Sequence, residues 1–489
     1  MSVSVAQNRL SRRALVGSSL AGAAVIGLSP GRSASAAATP SHASGVTLLS
    51  QSAPSTSPSA WRTWLLESPD ELRPDKPGTP SADEIEDLIG FQAEPTDEMA
   101  AAIAKWGRGS AMAPWSTVAS ELFTEFSVGG PLQNRNYALL QTAMHDAVIA
   151  AWDAQVTHER PSPAATDDRI TPPAGVDPAQ SSFPSTHAAV AAAAATVLTY
   201  LLPDAEAGRF DALAQEAAMS RLWAGAAFRS DMEAGLRLGA AVGEKAVARG
   251  KGDNFAAKFD LAGMPKGPGF WQPTPPAFAD PAVPLAGASK PWVLESGDQF
   301  RPQAPPKYGS DAWKAELDTV QATAASRTFQ QASLARYWAQ IGPFASFTGF
   351  ANELIARNGL DNPHAARVLA AASVAAADAI TAVWDAKYTW WTSRPITEDP
   401  ELETLFPTPP YPSYPGGFSG AVGAHAAVLG SFFPEAADEL AARAWEGANS
   451  RCWAGIHYVI DDDVALSMGR QIGGLVASLV RADIAGGAV

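Results

Sequence analysis

Long apolar stretches rich in alanine recur along the chain, and proline and glycine residues separate them. Two of these stretches cover residues 188–195 and 365–379. Alanine is the best helix-forming residue, and its small side chain allows helices to approach closely. Several apolar stretches of helix length in each half are typical of four-helix bundles. The pattern therefore predicts an all-α protein, with no internal apolar stretch long and charge-free enough to span a bilayer.

Three short segments of the first half recur in the second half in the same order. The matching pairs are residues 146–155 with 378–387, residues 184–187 with 415–418, and residues 220–225 with 450–455. A proline follows the middle segment at the same distance in both halves, which supports this register. We therefore predict two tandem four-helix bundles related by internal duplication, over about residues 130–250 and 345–485.

The same patterns divide the chain into five segments. Residues 1–36 contain Ser11-Arg12-Arg13-Ala14-Leu15, a mild apolar stretch and Ala34-Ser35-Ala36, the order typical of a twin-arginine export signal. The other segments are a linker with surface helices (37–110), a degenerate first bundle repeat (111–261), a proline-rich connector (262–310) and a second bundle repeat that carries the active site (311–489). We expect export, and the alternative is a cytoplasmic protein whose signal is not used.

Charge and cysteine content limit the classes of function. The net charge is −15, and the basic residues are few and scattered, which argues against nucleic-acid binding. Cys452 is the only cysteine, so a disulfide within the chain is impossible. We interpret Cys452 as a small buried residue rather than a nucleophile.

A set of basic residues and a histidine marks the last third of the chain. Lys387 precedes Arg394-Pro395 by seven residues, about two helical turns, so both side chains can point the same way. Ser450-Arg451, His457 and Asp461 follow. Three fixed cations and a histidine provide the charge-assisted donors that a phosphate-like anion requires.

This spacing resembles the motifs of the vanadium-dependent haloperoxidases and their relatives, the type 2 acid phosphatases. The resemblance covers nearly all of residues 110–489 and implies a fold of two four-helix bundles. The family's middle motif, Pro-Ser-Gly-His, falls at Pro415-Gly416-Gly417-Phe418, where the serine and the histidine are both absent. The sequence is most similar to the vanadate-independent haloperoxidase homologues of napyradiomycin-type meroterpenoid biosynthesis, a branch of bacterial secondary metabolism.

The resemblance implies a catalytic set in the second copy. Its members are His457, Lys387, Arg394, Arg451 and Asp461. In a haloperoxidase the three cations would hold the oxygens of vanadate, and the backbone N–H of Gly417 would add a donor. His457 would bind vanadium through a neutral ring nitrogen, and Asp461 would fix the tautomer of that ring.

The first copy has lost different residues. It keeps His187 and Arg221, but Gln155 stands in the place of the lysine and Ala227 in the place of the second histidine. The resemblance places the working site in the second copy. We therefore interpret His187 as a structural histidine whose hydrogen bonds are satisfied.

The missing serine and histidine of the second copy decide the functional prediction. Phe418 can neither donate a hydrogen bond nor shuttle a proton, and Gly416 has no hydroxyl group. Losing one oxyanion donor typically costs about 100- to 1000-fold in turnover, and losing a general acid or base costs a similar factor. His425 lies two helical turns after Phe418, and we favour a structural role for it over replacement of the lost histidine.

Further residues near this set are candidates for binding substrate or an anion. They are Trp390, Gly416, Gly417, Phe418, Ser419 and His425. Trp390, Trp391 and Phe418 offer flat apolar surfaces that suit an aromatic or prenylated substrate. Adjacent helical residues point about 100° apart, so burial in the bundle core is the simpler interpretation for one of the two tryptophans.

We therefore predict a cofactor-independent isomerase that rearranges an α-hydroxyketone on a prenylated naphthoquinone intermediate by a 1,2-shift of the prenyl group. His457 would act as the base. Lys387, with one of the two arginines, would stabilise the developing oxyanion. No cofactor is expected, although the remaining anion pocket leaves vanadate or phosphate open.

Two alternatives belong to other functional classes. One is an active vanadium-dependent chloro- or bromoperoxidase that uses hydrogen peroxide. The other is a non-catalytic anion- or ligand-binding protein, with phosphatase activity as a weaker variant. The expected partner is a small aromatic or prenylated molecule, with no nucleic acid and no membrane span, and a homodimer is left open.

Overall fold

The computed structural model describes residues 57–174 and 176–483, and these residues form an all-α structure, which confirms the predicted fold class. The first half contains helices α1 (Ala82–Ala93), α2 (Asp97–Trp106), α3 (Ala113–Glu125), α4 (Gly130–His158), α5 (Pro163–Thr166), α6 (Thr186–Leu201), α7 (Arg209–Trp223) and α8 (Arg229–Gly252). The second half contains α9 (Asp311–Ser326), α10 (Phe329–Ile341), α11 (Pro343–Arg357), α12 (Asn362–Trp390), α13 (Pro395–Glu398), α14 (Gly417–Phe432), α15 (Ala437–Trp453) and α16 (Val459–Ala482). The export signal expected at residues 1–36 lies outside the described residues and stays a prediction.

The two halves pack their long helices in the same way. In the first half α6 lies against α4, α7 and α8, and in the second half α14 lies against α12, α15 and α16. The helix pairs α4 and α12, α6 and α14, and α8 and α16 have equal lengths of 29, 16 and 24 residues. This arrangement is the one expected of two related four-helix bundles, and it supports the proposed duplication.

Helices α4 and α12 pack against each other and join the two halves. Helix α12 begins after Asp361, whose side chain accepts the backbone N–H of His364, and it ends at Trp391, which adopts a left-handed conformation. Among the described helices, α12 is long and apolar enough to cross a membrane by length and composition. All of its apolar window is buried inside the protein, as in the core helix of a bundle.

Glycine at one equivalent position of each half permits the closest helix contacts. A Cβ atom on Gly239 of α8 would lie 1.9 Å from the carbonyl oxygen of Ala189 in α6. A Cβ atom on Gly469 of α16 would lie 2.0 Å from the carbonyl oxygen of Gly420 in α14. Neither separation admits a side chain, so only glycine allows the two backbones to approach this closely.

A short segment ahead of each bundle, which we call a strap, is fixed to the central helix by one buried aspartate. The straps are residues 64–74 and 292–302, and both contain Trp-x-Leu-Glu-Ser followed by Arg-Pro. Asp146 of α4 accepts the backbone N–H groups of residues 64–66 at 2.7–3.0 Å. Asp378 of α12 accepts those of residues 292–294 at 2.7–3.0 Å. The N–H groups of each strap therefore offset the desolvation free energy of the buried carboxylate.

A second contact repeats in both straps. The Nε atom of Arg73 lies 2.6 Å from Asp153, and that of Arg301 lies 2.6 Å from Asp385. The straps meet where the rings of Trp64 and the equivalent Trp292 pack edge to face at 6.3 Å. Sequence analysis placed these residues in a linker and a connector, whereas the structure shows packed elements that recur in the two halves. The segment boundaries given above stay predictions.

Candidate functional site

The second half brings the basic residues of the sequence motif together near the end of α12. The Nζ atom of Lys387 donates hydrogen bonds to the carbonyl oxygens of Pro412 and Ser413 at 2.7 and 2.8 Å. Lys387 is fully buried. Burial, and then the charge of Arg394, lowers the pKa of Lys387 well below its ordinary value. Lys387 is therefore both a hydrogen-bond donor and an amine that can lose its proton more readily than an exposed lysine.

Arg394 connects the loop ahead of α14 with the histidine of the motif. Its Nε atom donates to the carbonyl oxygen of Tyr411 at 2.9 Å, and its Nη1 atom donates to that of Ile456 at 2.7 Å. The same Nη1 atom lies 3.0 Å from Nε2 of His457. Its Nη2 atom is buried and has no hydrogen-bond partner among the described residues. The two N–H donors of this nitrogen are therefore left for a ligand.

His457 lies between a hydrogen-bond acceptor, Asp461, and a hydrogen-bond donor, Arg394. Its Nδ1 atom lies 2.9 Å from Oδ2 of Asp461, which also accepts the hydroxyl of Ser413 at 2.5 Å. A proton on Nδ1 and a lone pair on Nε2 satisfy both neighbours, because Arg394 can only donate. Burial, and then the charge of Arg394, lowers the pKa of His457 well below its ordinary value. His457 is therefore neutral near pH 7, with its Nε2 lone pair facing Arg394.

Arg451 lies against Phe418, the residue at the position of the motif histidine. Its Nε atom donates to the hydroxyl of Ser450 at 3.0 Å, and its Nη2 atom donates to the carbonyl oxygen of Ala335 at 3.3 Å. The ring of Phe418 lies 4.3 Å from the guanidinium carbon, and that of Phe406 lies at 5.2 Å. Phe418 therefore stabilises Arg451 through its ring face and offers it no hydrogen bond.

Two buried acidic side chains lie among the basic residues of the site. Asp461 and Asp462 are both buried, and Asp462 accepts the hydroxyl of Ser419 at 2.7 Å. Burial raises the pKa of Asp461 to about 6 and the pKa of Asp462 well above its ordinary value. The two basic residues of lowest exposure, Lys387 and Arg394, and these two acids therefore form one network of interacting charges.

Neighbouring side chains leave no room for a side chain at the two glycines of the altered motif. A Cβ atom on Gly416 would lie 2.5 Å from Oδ1 of Asp462, and one on Gly417 would lie 2.8 Å from the ring of Trp384. The backbone N–H of Gly416 donates to the carbonyl oxygen of Asp461 at 2.7 Å. Asp462 and Trp384 thus fill the space into which side chains at residues 416 and 417 would project.

Comparison with known proteins supports the fold. The PAP2 superfamily matches residues 141–248. The first bacterial vanadium-dependent iodoperoxidase of known structure is similar over 79% of this chain and 97% of its own, with 23% identity and a TM-score of 0.57. A holo-type bacterial vanadium-dependent chloroperoxidase is similar over 73% of this chain and 94% of its own, with 16% identity and a TM-score of 0.56.

This chain has the fold of the bacterial vanadium-dependent haloperoxidases, and its residues 141–248 match the PAP2 superfamily. An apo-type bacterial vanadium-dependent chloroperoxidase is also similar, over 73% of this chain and 96% of its own, with 15% identity and a TM-score of 0.56. No curated protein matches the chain. The PAP2 match falls on the first half, whereas the motif of Lys387 and His457 lies in the second half.

The first half of this haloperoxidase fold repeats the network with one link removed. Ala227 occupies the place of His457, and Arg160 pairs directly with Asp231, the equivalent of Asp461. Ser182 donates to Asp231 at 2.7 Å, as Ser413 donates to Asp461. Arg160 and Asp231 therefore form a direct ion pair, because no histidine lies between them.

The remaining candidate residues differ in whether they contact the network. Ser419 bonds Asp462 and belongs to it. His425 donates from Nδ1 to the carbonyl oxygen of Ala421 at 2.9 Å, and its ring stacks on Phe347. Burial lowers the pKa of His425 to about 4. These contacts support the structural interpretation of His425.

The two tryptophans differ as expected of adjacent residues. Trp391 is buried and packs against Trp271 and Tyr388, so it belongs to the core. Trp390 is half-buried, and within the described residues its side chain makes no hydrogen bond or ring contact. Its role in substrate binding stays a prediction, as do the catalytic roles of the motif. Cys452 is buried, and burial raises the pKa of its thiol to about 12, as expected of an unreactive residue.

Sequence analysis missed three residues of the network. Ser413 bonds Asp461, Asp462 bonds Ser419, and the ring of Tyr411 lies 5.1 Å from Nζ of Lys387. Only Ser413 left a signal, because Ser182 occupies the equivalent position of the first half. Asp462 lies in the first turn of α16 and is also buried.

The donor set fits vanadate only in part. The lone pair on Nε2 of His457 is the kind of ligand that vanadium requires. Two of the three donors of Lys387 bond backbone carbonyls, Arg394 bonds the Nε2 atom itself, and Phe418 offers no hydrogen bond. The described residues therefore do not complete a vanadate site.

Proposed function

We propose that the second half is a cofactor-independent isomerase that rearranges an α-hydroxyketone, with a prenylated naphthoquinone as the substrate class. The observation that carries this proposal is the contact between Arg394 and His457 at 3.0 Å, with Asp461 behind the histidine. This arrangement joins a neutral base to a fixed cation in a buried site, where charge stabilisation is strong.

The reaction needs a base and an oxyanion donor but no oxidant. Nε2 of His457 accepts the proton of the tertiary hydroxyl, and the resulting alkoxide becomes a carbonyl group. The prenyl group migrates with its bonding electrons to the neighbouring carbonyl carbon, whose oxygen receives the displaced electron pair. Lys387 and the unpartnered Nη2 of Arg394 stabilise that oxygen, and His457 returns the proton to it.

The first step requires Arg394 to release Nε2 of His457. A ketone oxygen near the guanidinium group competes for its donors, and developing negative charge strengthens that competition. Asp461 keeps the proton on Nδ1 and stabilises the imidazolium that forms. Phe418 presents an apolar ring beside Arg451, which suits a prenyl chain better than a charged group.

A vanadium-dependent haloperoxidase that uses hydrogen peroxide is the second candidate. It is favoured by the tautomer of His457, because the bond from Nδ1 to Asp461 leaves Nε2 as the nitrogen with a lone pair. The three similar solved structures carry vanadium-dependent names, and this supports the same candidate.

Two assays separate the candidates. The full chain is incubated with vanadate, hydrogen peroxide, bromide and an activated 1,3-diketone, and bound vanadium is measured by mass spectrometry. It is incubated separately with an α-hydroxyketone naphthoquinone without added metal. Isomerisation that is lost in His457→Ala and Lys387→Ala, but kept in the surface variant His364→Ala, supports the isomerase. Halogenation with stoichiometric vanadium supports the second candidate, and inactivity in both assays supports a non-catalytic binding protein.

A further inference from the structure

The first half contains a cavity of about 320 Å³ at the start of α6. Residues that line it include Ser110, Trp152, Gln155, Thr186, His187 and Arg221. Its volume lies at the lower end of the range for small-molecule pockets. The cavity occupies the position that corresponds to the second-half network, since Gln155 and Arg221 are the equivalents of Lys387 and Arg451. It is separate from the site of the proposed function.

Arg221 is a buried cation that has no counter-ion within residues 57–174 and 176–483. Its side chain is 5% exposed, and among the described residues it forms no ion pair. It donates from Nε to the hydroxyl of Ser220 and from Nη2 to the carbonyl oxygen of Ile103, at 3.1 and 3.3 Å. Burial alone lowers its pKa to about 10. A buried charge of this kind is costly unless an opposite charge joins it.

The second half has an acid beside the arginine that corresponds to Arg221. There the carboxylate of Asp462 faces Arg451 and raises its pKa, against the effect of burial. The equivalent of Asp462 in the first half is Met232, and the neighbouring Asp231 is already paired with Arg160. Among the described residues, none therefore takes the place of Asp462 beside Arg221.

Further donors around the cavity have no acceptor. The hydroxyl of Ser110, which is 7% exposed, and Nε1 of Trp152 are buried without hydrogen-bond partners among the described residues. The backbone N–H groups of Thr186 and His187, in the first turn of α6, also have no described partner. Unpaired donors at a helix N-terminus next to an arginine form an anion-binding arrangement.

His187 is not the satisfied structural histidine expected from the sequence. Its ring is half-buried at the cavity and makes no hydrogen bond within the described residues. Burial, and then the charge of Arg221, lowers its pKa to about 3. Because the ring is neutral, either nitrogen can carry the proton and donate to a ligand.

We propose that this cavity binds a small molecule through one oxyanion group, a carboxylate or a phosphate, held by Arg221 and the first turn of α6. Asp177 and Asp361 lie exposed at the rim. Asp177 accepts the N–H of Ala179, and Asp361 bonds His364. These two acids disfavour a ligand with several negative charges, so the site selects a ligand with a single anionic group.

Isothermal titration calorimetry of the full chain at fixed ionic strength tests the proposal, with inorganic phosphate and acetate as separate probes. At least one probe binds the wild-type chain. His187→Phe weakens that binding by at least about 10-fold, because the ring fills the cavity and removes a donor. The fold tolerates this ring, because Phe418 occupies the equivalent place beside Arg451. Arg221→Gln weakens binding by about 10- to 100-fold.

The partly exposed Arg209, which pairs with Glu125, provides the matched control. Arg209→Gln removes the same charge at the surface and leaves probe binding unchanged. The proposal is overturned if neither probe binds the wild-type chain, or if His187→Phe binds as tightly as the wild type. It is also overturned if Lys387→Met abolishes binding while His187→Phe does not, because the probe then occupies the second half.

Discussion

The ring of Phe418 covers the guanidinium group of Arg451 at 4.3 Å, whereas the equivalent position beside Arg221 holds a histidine. Phe418 therefore places a ring without a hydrogen-bond donor where a histidine could donate to an anion beside Arg451.

Phe418→His therefore restores a donor beside Arg451. A hydrogen bond to a charged group contributes about 1.5–3 kcal/mol, so we expect vanadate to bind about 10- to 100-fold more tightly to this variant than to the wild type. Equilibrium dialysis followed by mass spectrometry measures the bound vanadium. Phe418→Leu is the control, since it reduces the ring without adding a donor. Equal vanadate affinity in the histidine and leucine variants would show that the missing donor is not the cause.

Gly469→Ala tests the close contact between α14 and α16. The added Cβ would lie 2.0 Å from a backbone carbonyl oxygen, so the helices must separate. Overpacking of this kind costs about 1–3 kcal/mol or more of unfolding free energy, measured by urea denaturation. Gly474→Ala in the same helix has open space around its Cβ and is expected to be neutral or stabilising. Equal destabilisation of the two variants would contradict the packing argument.

Asp378→Asn tests the strap. The carboxylate accepts three backbone N–H groups while fully buried, and an amide replaces one acceptor oxygen with a donor. We expect a loss of about 1.5–3 kcal/mol in unfolding free energy. Asp385→Asn removes the strap's partly exposed pair with Arg301 and should cost only about 0–1 kcal/mol. A strap that contributes nothing to stability would leave the two variants alike in urea.

Acid sensitivity is expected from His425. Its pKa is about 4 in the folded protein because of burial, against an ordinary value of 6.5. Between these values the unfolded chain binds a proton that the folded protein does not, so stability falls as the pH drops from 6.5 towards 4. His425→Leu should flatten this dependence by up to about 1.4 kcal/mol per pH unit. Urea denaturation at several pH values measures the slope, and an unchanged slope would rule out this histidine as a source.

The fold was largely predictable because alanine-rich helices and recurring segments are local sequence features. The straps were not recognised, although Trp-x-Leu-Glu-Ser occurs at both Trp64 and Trp292. Each strap lies about 80 residues ahead of the aspartate that it contacts, and no local pattern shows that pairing.

The site was predictable in its charged residues but not in how they are bonded. Motif spacing brought together Lys387, Arg394 and His457. The bonds from Lys387 to backbone carbonyls depend on the path of the loop that contains Pro412, and tertiary packing sets that path. His187 was misinterpreted for a related reason. Its ring lines a cavity, and the nearby Ala227 offers it no hydrogen-bond partner.

Helices α4 and α12 cover each other as the two subunits of a symmetric dimer would. A chain of this kind can change one unit while the other preserves the original task. His187 is present in one half and His457 in the other, and neither half contains both motif histidines. Under the proposed duplication, the two imidazoles that one complete motif would bring together are divided between the halves, so neither pocket has a full proton-handling pair.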